Sequence, residues 1–295
     1  MPMGTEITLS AGNLCLALSP SIGGAISAFE WIEGSGSWPI LRKCHRPLEK
    51  VLDAGSFPLV PYVNRIRGGA FNFRGREVRL KPNMASDPNA LHGQGWLNPW
   101  TVEQADDRRA VVTFRHEAGE WPWAYQARQE FALDTHGFLV TLSCRNISDE
   151  PMPCGLGQHP YFPCGTQTRI DTKVTHAWTI DDDVLPVDQA PAEGRYNLRD
   201  RPICGQGLDN GFGGWGGKAR MSDPDWPFAL ELSSPDARFF QVYSPPLGGI
   251  FVAEPVSHAN AALNAPEEEW PELGLRVLEP GGEMSLEMRL EVIPA

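Results

Sequence analysis

The sequence predicts an all-β fold, a single domain over residues 1–295 made of large antiparallel sheets with few short helices. Three observations carry that expectation. Met284, Leu286, Met288, Leu290 and Val292 alternate with Ser285, Glu287, Arg289 and Glu291, the period of two of a half-buried strand. Phe138, Val140, Leu142 and Cys144 repeat the pattern, and Asp134-Thr135-His136-Gly137 before them reads as a hairpin turn. The 30 glycines and 27 prolines, about a fifth of 295 residues, exceed the roughly 12% of an average chain and suit many turns better than long helices.

The remaining elements follow from the same reasoning. Residues 71–80 read as a hairpin turning at Arg74-Gly75, and 111–119 and 228–235 as further short strands. Helical signals are weak: two turns at 46–55 and one at 266–274. The acidic runs at 181–183 and 267–269 read as solvated turns.

Charge and cysteine usage narrow the function. A net charge of −12 opposes nucleic acid and anionic membrane surfaces as partners. No apolar run reaches the length of about 18 residues that a membrane span needs, and the first residues lack the basic start and apolar stretch of a signal peptide. A cytoplasmic location is the expectation. Cysteines at 15, 44, 144, 154, 164 and 204 form no C-x-x-C pair, so buried thiols are expected rather than a disulfide framework or a zinc site. The sequence carries no signal for oligomeric state.

Five stretches stand out from this background. His92 in LHGQGW (91–96) and His159 in LGQHPYF (156–162) sit among glycines and rings, where backbone can approach a ligand. His45, His116, His136 and His176 lack such surroundings and are read as structural. Glu254 closes the apolar run Gly249–Ala253, which reads as an interior strand; a carboxylate there is desolvated and becomes a better base. Asn64 and Arg65 lie between an apolar strand and the pair Gly68-Gly69. Asp209 occupies what reads as a glycine-aromatic loop, 207–215. Taken singly, each has an ordinary explanation: a satisfied core histidine, a glutamate where a strand meets water, an Asx turn.

Together and in this order, PYVNRI, LHG, QHPYF, LDNGF and the late Glu-Pro stretch resemble the aldose 1-epimerase (galactose mutarotase) family. The resemblance runs from about IGGAISAFEW (22–31) to LEPGGEMSLEMRLEV (278–292). It implies a β-supersandwich with the site on a concave sheet face, no cofactor and no metal, and a monosaccharide as partner. It places the general acid on His159, the general base on Glu254, a second site histidine on His92, and sugar-binding groups on Arg65, Asn64 and Asp209. Trp96, Tyr161 and Phe162 would pack on the sugar or support the site. The implied function is interconversion of the α and β anomers of a free aldose. A non-catalytic sugar-binding sandwich is the alternative from another class; a two-histidine, one-carboxylate metal site is a third.

Two departures bear on the sugar. Galactose-type members carry Glu-x-Gln where this chain has Glu254-Pro255-Val256. Hexose-6-phosphate epimerases, a further alternative, show an arginine soon after the His-Gly pair, where this chain has Gln94-Gly95-Trp96. Only Arg65 and Arg67 lie near the motifs, so a free sugar is expected unless distant arginines such as Arg201 or Arg238 converge on the site.

Overall fold

Two large antiparallel sheets stack face to face in the computed structural model, which describes residues 6–44 and 47–294. One has nine strands in the order Thr101–Ala105, Arg109–His116, Tyr125–Asp134, Gly137–Asn146, Glu283–Pro294, Phe228–Ser233, Lys218–Ser222, Arg169–Thr172 and Arg201–Pro202. The other has eight: Pro186–Pro191, His176–Ile180, Leu208–Gly213, Phe239–Ser244, Ile250–Val256, Gly157–Gln158 and Pro58–Leu59 in order, with Tyr161–Pro163 pairing beside Ile250–Val256. A four-stranded meander over Ile7–Pro39 completes the sandwich.

Alternation along each strand explains the stacking. Met284, Leu286, Met288, Leu290 and Val292 are all buried, and they share one core with Phe138, Val140 and Leu142 of the paired strand. Phe240, Val242, Phe251 and Ala253 enter that core from the eight-stranded sheet. Their neighbours Gln241, Tyr243, Val252 and Glu254 therefore point to the opposite, open face. The strands at 71–80, 111–119 and 228–235 form as expected, and the turn at 134–137 closes the hairpin.

Some expectations fail. In place of the two helices there are three-residue 3₁₀ turns, Val51–Asp53 and Glu267–Glu269; residue 46, where the first was to begin, and His45 lie outside the described residues. Leu208–Gly213 is a strand, not a loop, because its alternate residues Leu208, Asn210 and Phe212 are buried in the sandwich. The thiol expectation holds for the buried Cys144 and Cys154 but not for Cys164 and Cys204, which form a disulfide with Cα atoms 5.7 Å apart. Forty residues separate those two in sequence, and only the sandwich brings their loops together. No helix among the described residues is long and apolar enough to cross a membrane.

His258 ties the two halves of the open face. It is buried; its Nε2 accepts the Val63 N–H at 3.0 Å and its Nδ1 donates to the Ala259 carbonyl at 2.8 Å. Burial lowers its pKa from the ordinary 6.5 to about 4. As pH falls below about 6.5 the unfolded chain takes a proton at this residue that the native one refuses, so stability is lost between about 6.5 and 4. At 1.36 kcal/mol per unit this amounts to roughly 3 kcal/mol. Denaturant unfolding from pH 7 to 4 should show at least that loss, and in His258→Gln, which starts less stable, the pH-dependent loss should shrink by about that amount.

Candidate active site

Two segments with unusual backbone meet at one end of the open face. Asn64 and His92 both have positive φ, 55° and 59°, conformations that side chains disfavour. Each steadies the other: the Asn64 N–H donates to His92 Nδ1 at 3.1 Å, and the His92 N–H donates to the Asn64 carbonyl at 2.9 Å. With Nδ1 accepting, the hydrogen of the neutral imidazole lies on Nε2. Gly93 must be glycine, because φ is 72° and a Cβ there would sit 2.2 Å from the Val60 carbonyl oxygen. That close crossing is the physical reason for a glycine after the histidine.

His159 and Glu254 are already in contact. His159 Nε2 lies 3.4 Å from Glu254 Oε1, and both side chains are buried. Phe57 stacks on the His159 ring at 4.5 Å and on Trp96 at 5.4 Å, while Tyr161 lies 4.7 Å from His159. Burial raises the Glu254 carboxyl well above the ordinary carboxylate range, Asp209 adding and Arg65 opposing. Burial also drives His159 down to about 3. Burial therefore favours the uncharged form of each group, the state in which the pair carries one exchangeable proton between them. Desolvation disfavours a charge on either ring or carboxyl. His92 is lowered well below the ordinary range by burial, by His159 and by Arg65, and stays neutral.

Arg65 supplies the positive charge. Its Nε donates to Asp87 Oδ2 at 2.7 Å, and its Nη2 lies 3.9 Å from Asp209 Oδ2. Asp87 is fixed in turn by the Asn89 backbone N–H (2.9 Å) and side-chain amide (3.0 Å). Gln241 Nε2 donates to Asp209 Oδ1 at 3.0 Å. Burial raises the Asp209 carboxyl, with Arg65 and then Gln241 pulling it back.

A cavity of about 250 Å³ collects these groups, lined by Asn64, Arg65, His92, Trp96, His159, Tyr161, Asp209 and Glu254 among others. Eight of the nine residues singled out from the sequence therefore converge here. Trp96 presents ring only, since its N–H donates to the carbonyls of Leu91 and Gly93. Phe162 does not join them: next to Tyr161 on a strand it points the other way, stacked on Phe251 at 5.2 Å in the inter-sheet core. Arg67 pairs with Asp181 at 3.4 Å, and neither Arg201 nor Arg238 lines the cavity.

Sequence reasoning missed Phe57, Asp87 and Gln241. Gln241 carried the signal that exposed Glu254, a polar residue inside an apolar strand (Phe239, Phe240, Val242). Asp87 carried none, because its value lies in reaching Arg65 across the fold. Among the described residues no three His, Cys, Asp or Glu side chains converge as a metal-ligand set.

Comparison with known proteins now decides the family. The aldose 1-epimerase family model matches residues 5–291. The chain belongs to the aldose 1-epimerase family. It is 36% identical over 302 residues to the uncharacterized protein YphB of Escherichia coli K12, covering 98% of this chain and 99% of that one. The crystal structure of a candidate aldose 1-epimerase from the same organism superposes with a TM-score of 0.88 at 33% identity, covering 99% of both chains. The GalM/aldose epimerase homologue of Caenorhabditis elegans gives 0.83 at 15% identity, over 99% of each chain, a likeness of fold.

The Arg65 clamp has a measurable consequence. The Arg65 and Asp87 side chains are 12% and 6% exposed, so removing one partner strands a buried charge. Asp87→Ala should lower the unfolding free energy by roughly 3–5 kcal/mol. Asp209→Asn, at the longer 3.9 Å contact, should cost clearly less. The reverse order in denaturant titrations would show that Asp87 is not the anchor.

Proposed function

We propose that the chain is an aldose 1-epimerase that interconverts the α and β anomers of a free aldose by proton transfer between His159 and Glu254. One observation supports this most. Of the nine buried side-chain polar atoms without a partner among the described residues, four belong to residues that line this cavity: Asn64 Nδ2, His159 Nδ1, Gln241 Oε1 and Glu254 Oε2. Unsatisfied buried polar atoms are costly, and a cluster of them in one cavity fits a ligand rich in hydroxyls.

Ring opening moves one proton off the C1 hydroxyl and another onto the ring oxygen, as the C1–O5 bond breaks and the C1 carbonyl forms. Sugar hydroxyls donating to Glu254 Oε2 supply what that carboxylate lacks in the empty pocket and favour its charged form. The shared proton then rests on His159, which leaves a base and an acid about one hydrogen bond apart. His159 delivers its proton to the ring oxygen while Glu254 takes the one from the C1 hydroxyl. The pair still holds one proton afterwards, so closure on the other face of the carbonyl reverses both transfers. Arg65, His92, Asn64 and Asp209 hold the remaining hydroxyls, and Trp96 and Tyr161 present rings to the apolar face. A purely sugar-binding role does not account for a buried acid–base pair.

Glu254→Gln and His159→Asn should each slow anomer exchange about 10²–10⁴-fold, read by polarimetry of freshly dissolved α-glucose and α-galactose, with the fold retained. In the wild type kcat/KM should stay flat through pH 6.5, because activity is lost only as the pair gains a second proton toward pH 3 or loses its only one above Glu254's raised value. An acid limb centred at 6.5, or near-normal rates in either variant, would reject the assignment.

The substrate is unphosphorylated in this proposal. A phosphate dianion calls for several arginine or lysine forks, and Arg65, the only arginine or lysine lining the cavity among the described residues, is occupied by two aspartates. Specificity constants for glucose and galactose should exceed that for glucose 6-phosphate by at least tenfold; a preference for the phosphate would overturn the substrate class but leave the proton chemistry standing.

A further inference from the structure

Arg65 is held by its main chain as well as by its guanidinium. Its short strand, Arg65–Ile66, pairs with Ala90–Leu91 in a sheet of just these two strands. The other edge is met by side chains. The Val63 N–H donates to His258 Nε2 at 3.0 Å, the Arg65 N–H to Asn260 Oδ1 at 3.0 Å, and the Arg67 N–H to Asn264 Oδ1 at 2.8 Å. Three alternate amides thus turn toward one segment, 258–264. Its side chains do there what the carbonyls of a neighbouring strand do in a sheet.

That segment directly continues the strand that carries Glu254, Ile250–Val256. Asn260 follows Glu254 by only six residues. The stretch between them is pinned: the Ser257 N–H donates to the Leu156 carbonyl at 2.8 Å, and the Leu156 N–H to Ser257 Oγ at 2.9 Å. A Cβ on Gly155 would fall 2.0 Å from the His258 ring, so that glycine leaves the imidazole its seat.

Asn260 is the central contact. It is 8% exposed, and its amide bridges two main-chain segments, with Oδ1 accepting from Arg65 and Nδ2 donating to the Val184 carbonyl at 2.9 Å. Asn260 itself does not line the cavity, but Arg65 does. Asp87 fixes the guanidinium end of Arg65 at 2.7 Å and Asn260 fixes its main-chain end, so the side chain is held at both ends. Asn264 makes the matching contact one step further out, for Arg67, which does not line the cavity.

We propose that Asn260 is a positioning residue for Arg65, and that segment 258–264 sets this sugar-binding arginine at a fixed distance from Glu254 on the same stretch of chain. The sugar in this inference rests on the epimerase reading. Arg65 holds hydroxyls that do not react, so misplacing it weakens substrate and transition state alike and shows in KM rather than in kcat.

The test compares the wild type with Asn260→Ala, Asn260→Asp and Asn264→Ala by polarimetry on glucose and galactose. Asn260→Ala should raise KM about tenfold with kcat changed less than about threefold. Asn260→Asp keeps an acceptor for the Arg65 N–H and should stay within about threefold of the wild-type KM, while Asn264→Ala should leave both constants within about twofold. A second readout is the Arg65 Nε–H, followed by NMR in the free protein. Its exchange with water should be at least about tenfold faster in Asn260→Ala and near normal in Asn264→Ala. The proposal is overturned by an unchanged KM in folded Asn260→Ala, by an equal rise in Asn264→Ala or Asn260→Asp, or by a loss confined to kcat. If the wild type turns over no aldose, the epimerase reading falls and the Nε–H exchange decides. Faster exchange in Asn260→Ala but not in Asn264→Ala then keeps Asn260 as the residue that sets Arg65, and equal exchange in both discards it. Should Asn260→Ala not fold, Asn260→Ser, whose hydroxyl is too short to bridge both groups, replaces it under the same criteria.

Discussion

A carboxylic acid buried on a sheet face is the constraint around which the site is arranged. Glu254 occupies a strand whose other residues are apolar, and among the described residues nothing bonds its Oε2. Desolvation would make a lone carboxylate there expensive. Its neighbour His159 is pushed the opposite way by the same burial, so the two settle into a neutral pair sharing one proton. Low dielectric opposes adding a second proton or removing the last one, because either leaves a net buried charge.

Holding that pair takes rigid surroundings rather than many contacts. Phe57 stacks on His159 and on Trp96, so the acid–base pair is wedged by a ring anchored on another segment. The reciprocal bonds between Asn64 and His92 keep two left-handed residues in place, and Gly93 permits the chain crossing behind them. On the far side Asp87 holds Arg65 by its Nε, and Asp209 and Gln241 complete a charged and polar wall. Ring wall and polar wall face each other across a single cavity, the division of labour that a sugar's two faces demand.

The sandwich makes this possible by separating two jobs. Residues pointing between the sheets form the shared apolar core, and their alternates form the open face, so Glu254 and Gln241 can be polar without disturbing the packing beneath them. The same alternation extends the open face past the site to His176 and Phe239, where glycines let rings lie flat. Family membership accounts for the fold.

The sequence alone determined the all-β class and the principal hairpins, and it singled out eight residues that line one cavity. Period-two alternation and turn residues are local signals, and Glu254 betrayed itself by interrupting an apolar strand. Local signals misled where a neighbour in space outweighed neighbours in sequence. Phe162 resembled Tyr161 until the strand's alternation turned it into the core. Asp209 looked like a loop residue because its glycines hid a strand. Cys164 and Cys204 looked like separate thiols 40 residues apart. Only the tertiary structure recruited Asp87 to Arg65 and Phe57 to His159. It alone decided that Glu254 is raised and His159 lowered, because a pKa shift depends on how completely water is excluded, and that is a property of packing and not of residue order.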